Sequence, residues 1–68
     1  MKTIITSQYP SILYSTKETA QEDADKFGVK IVKVIHITEW NNKVEKVFIG
    51  YGLYDNGKLL TTKDFIFV

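Results

Sequence analysis

Phe48-Ile49-Gly50-Tyr51-Gly52-Leu53-Tyr54-Asp55-Asn56-Gly57-Lys58-Leu59-Leu60 is the stretch whose reading decides the fold. Asn-Gly between apolar-rich flanks is the strongest short-range hairpin signal, because both residues tolerate the positive φ of a two-residue turn. Working outward, Asn41-Asn42 is a weaker form of the same signal. The two breaks divide the C-terminal part into three β-rich runs, Val29–Trp40, Lys43–Tyr54 and Lys58–Val68. Counting away from two-residue turns sets a register. It places Tyr54 opposite Leu59, Leu53 opposite Leu60 and Phe48 opposite Phe65. Across the first hairpin it places Trp40 opposite Lys43 and Ile35 opposite Phe48. The expectation is a three-stranded antiparallel meander.

Upstream the pattern is different. Lys2–Thr6 is a short β-rich run that predicts a first strand. Ser7-Gln8-Tyr9-Pro10 predicts a turn, since proline fixes its own φ and pushes Tyr9 out of the helical region. Ile12-Leu13-Tyr14 reads as a short strand or an ordered loop. Ser15-Thr16-Lys17-Glu18 fits a capping box, Ser15 being the cap, and Gly28 supplies a left-handed stop. Glu22 and Lys26 are spaced as an i,i+4 ion pair. The apolar stripe of this helix is thin: Ala20, Ala24 and Phe27, with Phe27 expected to anchor it. These elements predict a single α+β domain over residues 1–68, in the order β-α-β-β-β. One helix packs on one face of an antiparallel sheet of three long C-terminal strands plus a short N-terminal strand.

Composition narrows the class. The chain has 68 residues, is 44% hydrophobic and carries a formal net charge of +1. A chain of this length hides only about 60% of the surface its unfolded form exposes, so its core is marginal. Small domains often add disulfides, a zinc site or an oligomeric interface. With no cysteine and one histidine, the first two are disfavoured, leaving packing or self-association. No metal and no cofactor are expected. The apolar runs reach three or four residues, far below the about twenty that span a bilayer. The polar opening Met1-Lys2-Thr3-Ile4-Ile5-Thr6-Ser7-Gln8 does not resemble a signal peptide. The expected setting is cytoplasmic, with no membrane partner.

Charge is separated along the chain. Residues 16–27 hold four acids and two lysines, a balance of −2, while the rest holds seven lysines and four acids, a balance of +3. All nine basic residues are lysine. Arginine favours bidentate recognition of phosphate and guanine, so its absence argues against sequence-specific reading of nucleic acid.

The counted register sorts apolar side chains onto both sheet faces. Val32, Val34, His36, Val47, Ile49, Tyr51, Leu53, Leu60, Ile66 and Val68 fall on one, interrupted by Thr62 and Asp64, and the helix is assigned to it. Val29, Ile31, Ile35, Ile37, Phe48, Tyr54, Leu59, Phe65 and Phe67 fall on the other, with Lys33, Lys46, Lys63, Gly50 and Gly52. Glycine weakens a strand, so this pair marks either a bulge or bend, or a floor that a partner approaches closely. The reverse assignment, with the helix alanines packed directly over the glycines, is the alternative, and a one-residue bulge would scramble these lists.

The chemistry-bearing residues are few. His36 lies opposite Val47 and Ile66, neither of which can orient or use it in catalysis. Gly50-Tyr51-Gly52 does not open a helix and so lacks the context of a dinucleotide loop. Trp40, beside a turn, either packs over the strand edge or stands out as a binding anchor. Glu18, Glu22 and Asp25 form an acidic helix ridge, which is either a solvated face or a dock for a basic partner. Lys33, Ile35, Lys46, Phe48, Tyr54, Lys63, Phe65 and Phe67 form the candidate interaction face. Such a face suits an apolar protein interface with lysines at its rim. It also suits stacking of unpaired bases, with lysines following the phosphates. A third reading is simply a curled sheet covered by the N-terminal segment. The expected function is a small non-enzymatic protein-interaction module of the regulator or inhibitor type, self-associating as a homodimer or binding another protein. The alternative is weak, sequence-tolerant single-stranded nucleic-acid binding.

Overall fold

Asn41 and Asn42 adopt φ of 47° and 62°, and Asn56 and Gly57 adopt 52° and 79°. Two consecutive left-handed residues are what a two-residue hairpin turn demands, so both turns form where the side chains tolerate them. The computed structural model describes residues 1–65, the side chain of Phe65 excepted. Its elements are β1 (Lys2–Thr6), α1 (Lys17–Phe27), β2 (Lys30–Trp40), β3 (Lys43–Asp55), β4 (Lys58–Leu59) and a 3-10 turn (Thr62–Phe65). The strands form one sheet in the order β1-β2-β3-β4. β2 to β4 are antiparallel neighbours, whereas β1 runs parallel to β2 with Ile4 opposite Val34. The α+β architecture is as expected, with a mixed sheet.

The helix starts one residue later than the capping box suggests. Thr16 is the cap: its hydroxyl oxygen accepts the Thr19 amide at 3.3 Å, and the two threonine hydroxyls pair at 2.6 Å. Gly28, at φ 69°, ends the helix, and the Val29 amide closes on the Ala24 carbonyl at 2.9 Å. Ala20 and Ala24 are fully buried. Phe27 is not the anchor, being 45% exposed with the Lys26 ammonium 5.9 Å from its ring centre. Among the described residues the only ion pair is Lys58–Asp64, so Glu22 and Lys26 do not pair.

A bulge in β3 reorganises the two faces. Val34 lies opposite Gly50 and Ile35 opposite Phe48, so Ile49 is the extra residue. Gly50 has φ 147°, in the region that favours glycine. Because side chains alternate along a strand, the bulge moves everything after it to the other face. Tyr51 and Leu53 therefore join Ile31 and Ile35, while Gly50, Gly52, Tyr54 and Leu59 join Val32 and Val34. The helix covers the first group, not the Val32–Val34 side. Ala24, Leu53 and Leu60 form the buried cluster, with Ile12, Tyr14, Val29 and Ile31 packed against it. The other face is closed by the segment after β1 and by β4. A Cβ built on Gly52 would meet Leu59 Cδ1 at 2.7 Å, and one on Gly50 would meet Leu13 Cγ at 3.2 Å. Val32 and Val34 are fully buried beneath this cover.

The third long strand is cut short. β4 pairs only Tyr54 with Leu59 and Asp55 with Lys58. The Leu60 amide still reaches the Leu53 carbonyl at 2.8 Å. Continuing that ladder would put Thr62 opposite Tyr51, but Tyr14 already holds that edge. The Tyr14 and Tyr51 amides each donate to the other's carbonyl at 2.8 Å. The chain turns away instead. Asp64 accepts the Thr61 amide and the Lys58 ammonium, each at 2.7 Å, and the Thr62 amide donates to the Ser11 hydroxyl at 2.9 Å. The expected Phe48–Phe65 pairing is thereby lost, and residues 66–68 lie outside the described residues.

Candidate interaction surface

β1 stops opposite His36, and Tyr14 holds β3 only from Tyr51 onward. Between these limits β2 and β3 continue, among the described residues, as a two-stranded ribbon, the arm, tipped by Asn41-Asn42. The molecule measures 42 × 27 × 19 Å along its principal axes. Among the described residues, no third layer packs on the β-branched residues that favour strands here, Ile37, Thr38, Val44 and Val47.

Most of the large exposed apolar residues gather on or beside the arm. On the face shared with the helix, Ile5, Val44 and Phe48 are 52%, 53% and 47% exposed. Ile35 and Ile37 lie half-buried among them. Ile35 faces both Ile5 and Phe48, and Ile37 faces Lys46. The Phe48 ring meets Tyr51 edge-on, with centroids 5.3 Å apart. Lys33 and Lys46 are exposed on this same face. Four of the expected interaction residues, Lys33, Ile35, Lys46 and Phe48, are thus brought together.

The others are dispersed. Tyr54 lies on the opposite face, where its hydroxyl accepts the Lys2 ammonium at 3.1 Å and its ring lies 4.9 Å from that charge. Lys63 sits in the 3-10 turn and lines an open groove of about 410 Å³ with Thr6, Tyr9, Pro10, Ser11 and Leu59. The Phe65 side chain and Phe67 lie outside the described residues. Ile5, Ile37 and Val44 complete the patch. Alternation alone places Ile37 and Val44 there, beside Lys46 and Phe48, whereas Ile5 needed the β1–β2 register.

The remaining candidates have local partners. The His36 ring stacks on Tyr9 at 4.5 Å, with its Nε2 3.2 Å from the Ser7 carbonyl and its Nδ1 3.4 Å from the Thr38 hydroxyl. Its cross-strand neighbours are Val47 and Thr6; the expected Ile66 lies outside the described residues. His36 therefore ties the segment after β1 to the sheet. Trp40 is 51% exposed on the face opposite Phe48. Glu18, Glu22 and Asp25 are exposed on α1, where the Gln21 amide donates to Asp25 at 2.8 Å.

Two titratable groups are shifted. The Tyr14 hydroxyl donates to Asp23 at 2.5 Å, and burial, reinforced by that carboxylate, pushes its pKa up to about 12. The Asp64 carboxyl is held below the usual range, first by the Lys58 hydrogen bond and then by the Thr61 amide. Both belong to the junctions that fasten the connecting segments, away from the arm. Among the described residues no group of three or more His, Cys, Asp or Glu could hold a metal, and no helix is long and apolar enough to cross a membrane. No protein-family model matches the chain, and no curated protein or solved structure matches it significantly.

Proposed function

We propose that this chain is a small non-enzymatic protein-interaction module of the regulator or inhibitor type, which self-associates through the apolar face of its arm. The observation that carries this reading is the patch of Ile5, Ile35, Ile37, Val44 and Phe48, three of them about half exposed. Removing such a patch from water is favourable by about 25 cal/mol per Å², and a chain with so small a core gains from any added burial. A non-catalytic role fits the engagement of the lone histidine with Tyr9, Ser7 and Thr38. Cytoplasmic residence belongs to the same proposal, and the absence of cysteine is compatible with it.

Sedimentation across a concentration series tests the reading. The wild-type protein is expected to sediment as a dimer at high micromolar concentration. Phe48→Lys, at a half-exposed position, is expected to keep the circular dichroism of the fold while weakening assembly at least tenfold. A wild-type monomer throughout the series overturns the reading, and so does unfolding by Phe48→Lys, which would make this face core. Lys33 and Lys46 beside Phe48 and Tyr51 also keep the nucleic-acid reading in view. Single-stranded oligonucleotide binding that weakens steeply with salt would favour it, and no binding at low salt would remove it.

A further inference from the structure

We propose that a second copy of this chain docks by strand addition along the free edge of β3, in one register that sets Lys43 of each copy against Glu45 of the other. This deepens the self-association proposed above and rests on it. The outer edge of β3 from Lys43 to Gly50 has no strand partner among the described residues: β4 reaches only Tyr54, and Tyr14 only Tyr51. A two-residue turn is closed by a hydrogen-bonded pair, here Trp40 with Lys43. Backbone groups of Lys43, Glu45 and Val47 therefore point into the hairpin, and those of Val44, Lys46 and Phe48 point outward. A row of outward-facing amides and carbonyls on a ribbon with apolar residues on both faces is a template for another strand.

The register follows from charge and from what the edge already holds. Two copies of one strand that pair antiparallel are related by a two-fold axis perpendicular to the sheet, so each pair must come from the same face. Centring the axis on Glu45 opposes two glutamates, and centring it on Lys46 opposes two lysines; like charges directly opposite are destabilising. Centring it on Val47 would carry the partner's Lys43 onto Tyr51, a position Tyr14 occupies with two hydrogen bonds. Centring it on Val44 avoids all three faults. Val44 then meets Val44, and Lys43 meets Glu45 twice. The two Phe48-bearing faces merge side by side, each Phe48 flanking the partner's turn. Within one copy Lys43 faces Trp40 and Glu45 faces Thr38, so altering either charge breaks no ion pair of the monomer.

Charge exchange tests this register. Lys43→Glu alone and Glu45→Lys alone are each expected to weaken self-association at least tenfold, while the circular dichroism stays that of the wild type. Mixing the two variants is expected to restore dimers, because the two carboxylates of the first variant then face the two ammonium groups of the second. The double variant, with both charges exchanged on one chain, is expected to dimerise by itself. If both single variants assemble as the wild type does, or if the mixture stays monomeric, the register is wrong. A wild-type dimer dissociated by Phe48→Lys but indifferent to these exchanges would leave the self-association reading standing and overturn this inference alone. A wild-type monomer would overturn both.

Discussion

Ile35 stands opposite Phe48, while the preceding Val34 stands opposite Gly50, so one residue of β3 goes unmatched between two of β2. This offset decides which side chains share a face. It gathers Leu53 with Ile31 under the helix and gives the opposite face a glycine floor that Leu13 and Leu59 fill. Beyond it, Phe48 is left on the helix side of the sheet where the helix no longer reaches.

The two strand glycines are expected to differ in cost. A Cβ on Gly50 would sit 2.5 Å from the Tyr14 carbonyl oxygen, a backbone atom, at a φ of 147° that side chains rarely adopt. Gly50→Ala is therefore expected to lose about 1–3 kcal/mol from strain alone, with further loss from displacing Tyr14. Gly52→Ala would press on Leu59 Cδ1, a side-chain end that can yield. Urea denaturation should rank Gly50→Ala well below Gly52→Ala in stability; equal midpoints would contradict the bulge geometry.

Truncations separate core from periphery. Leu53 is fully buried in the cluster under the helix, so Leu53→Ala is expected to cost about 2–5 kcal/mol, enough to unfold much of so small a domain. Phe27 is 45% exposed, and Phe27→Ala should cost clearly less. Thermal unfolding of the two variants checks the order.

The Tyr14–Asp23 contact gives stability a dependence on alkaline pH. The folded hydroxyl has its pKa raised to about 12 from an ordinary value of 10. The folded state thus holds the proton more tightly, and this stabilisation is complete below pH 10 and disappears as pH rises from there through about 12. Tyr14→Phe should lower stability at neutral pH and flatten that part of the profile. Denaturation midpoints of both proteins across this window, with tyrosinate absorbance as the titration signal, provide the check. A parallel decline in the two would show that the contact contributes nothing.

Much of this was legible in the chain itself. Lys2–Thr6 is a strand within its expected bounds, and Gly28 stops the helix, because both depend on neighbours in sequence. The Asn-bearing turns formed for the same reason. The bulge was signalled only as an ambiguity at the glycines, since its location depends on what presses on Gly50 from Leu13 and Tyr14. Helical spacing marks Phe27 as the anchor but says nothing about how far the helix overlaps the sheet, which leaves Phe27 45% exposed. The shortened β4 had a local sign in Thr61-Thr62-Lys63-Asp64, a capping pattern that the β-rich composition around it obscured. Its second cause, Tyr14 at the edge of β3, is a long-range contact that no local pattern encodes. Within the candidate face, Lys33, Ile35, Lys46 and Phe48 stayed together because they all precede the bulge or lie across from it. Tyr54 follows the bulge and was carried to the other side.

Amide hydrogen exchange along β3, measured at low and at high protein concentration, is the most direct test of the arm as the surface of self-association. Protection of the Val44 amide should rise with concentration as it bonds to the second copy, while the Phe48 amide, beyond the paired stretch, should change little. Exchange along the arm that is fast and the same at every concentration would contradict this.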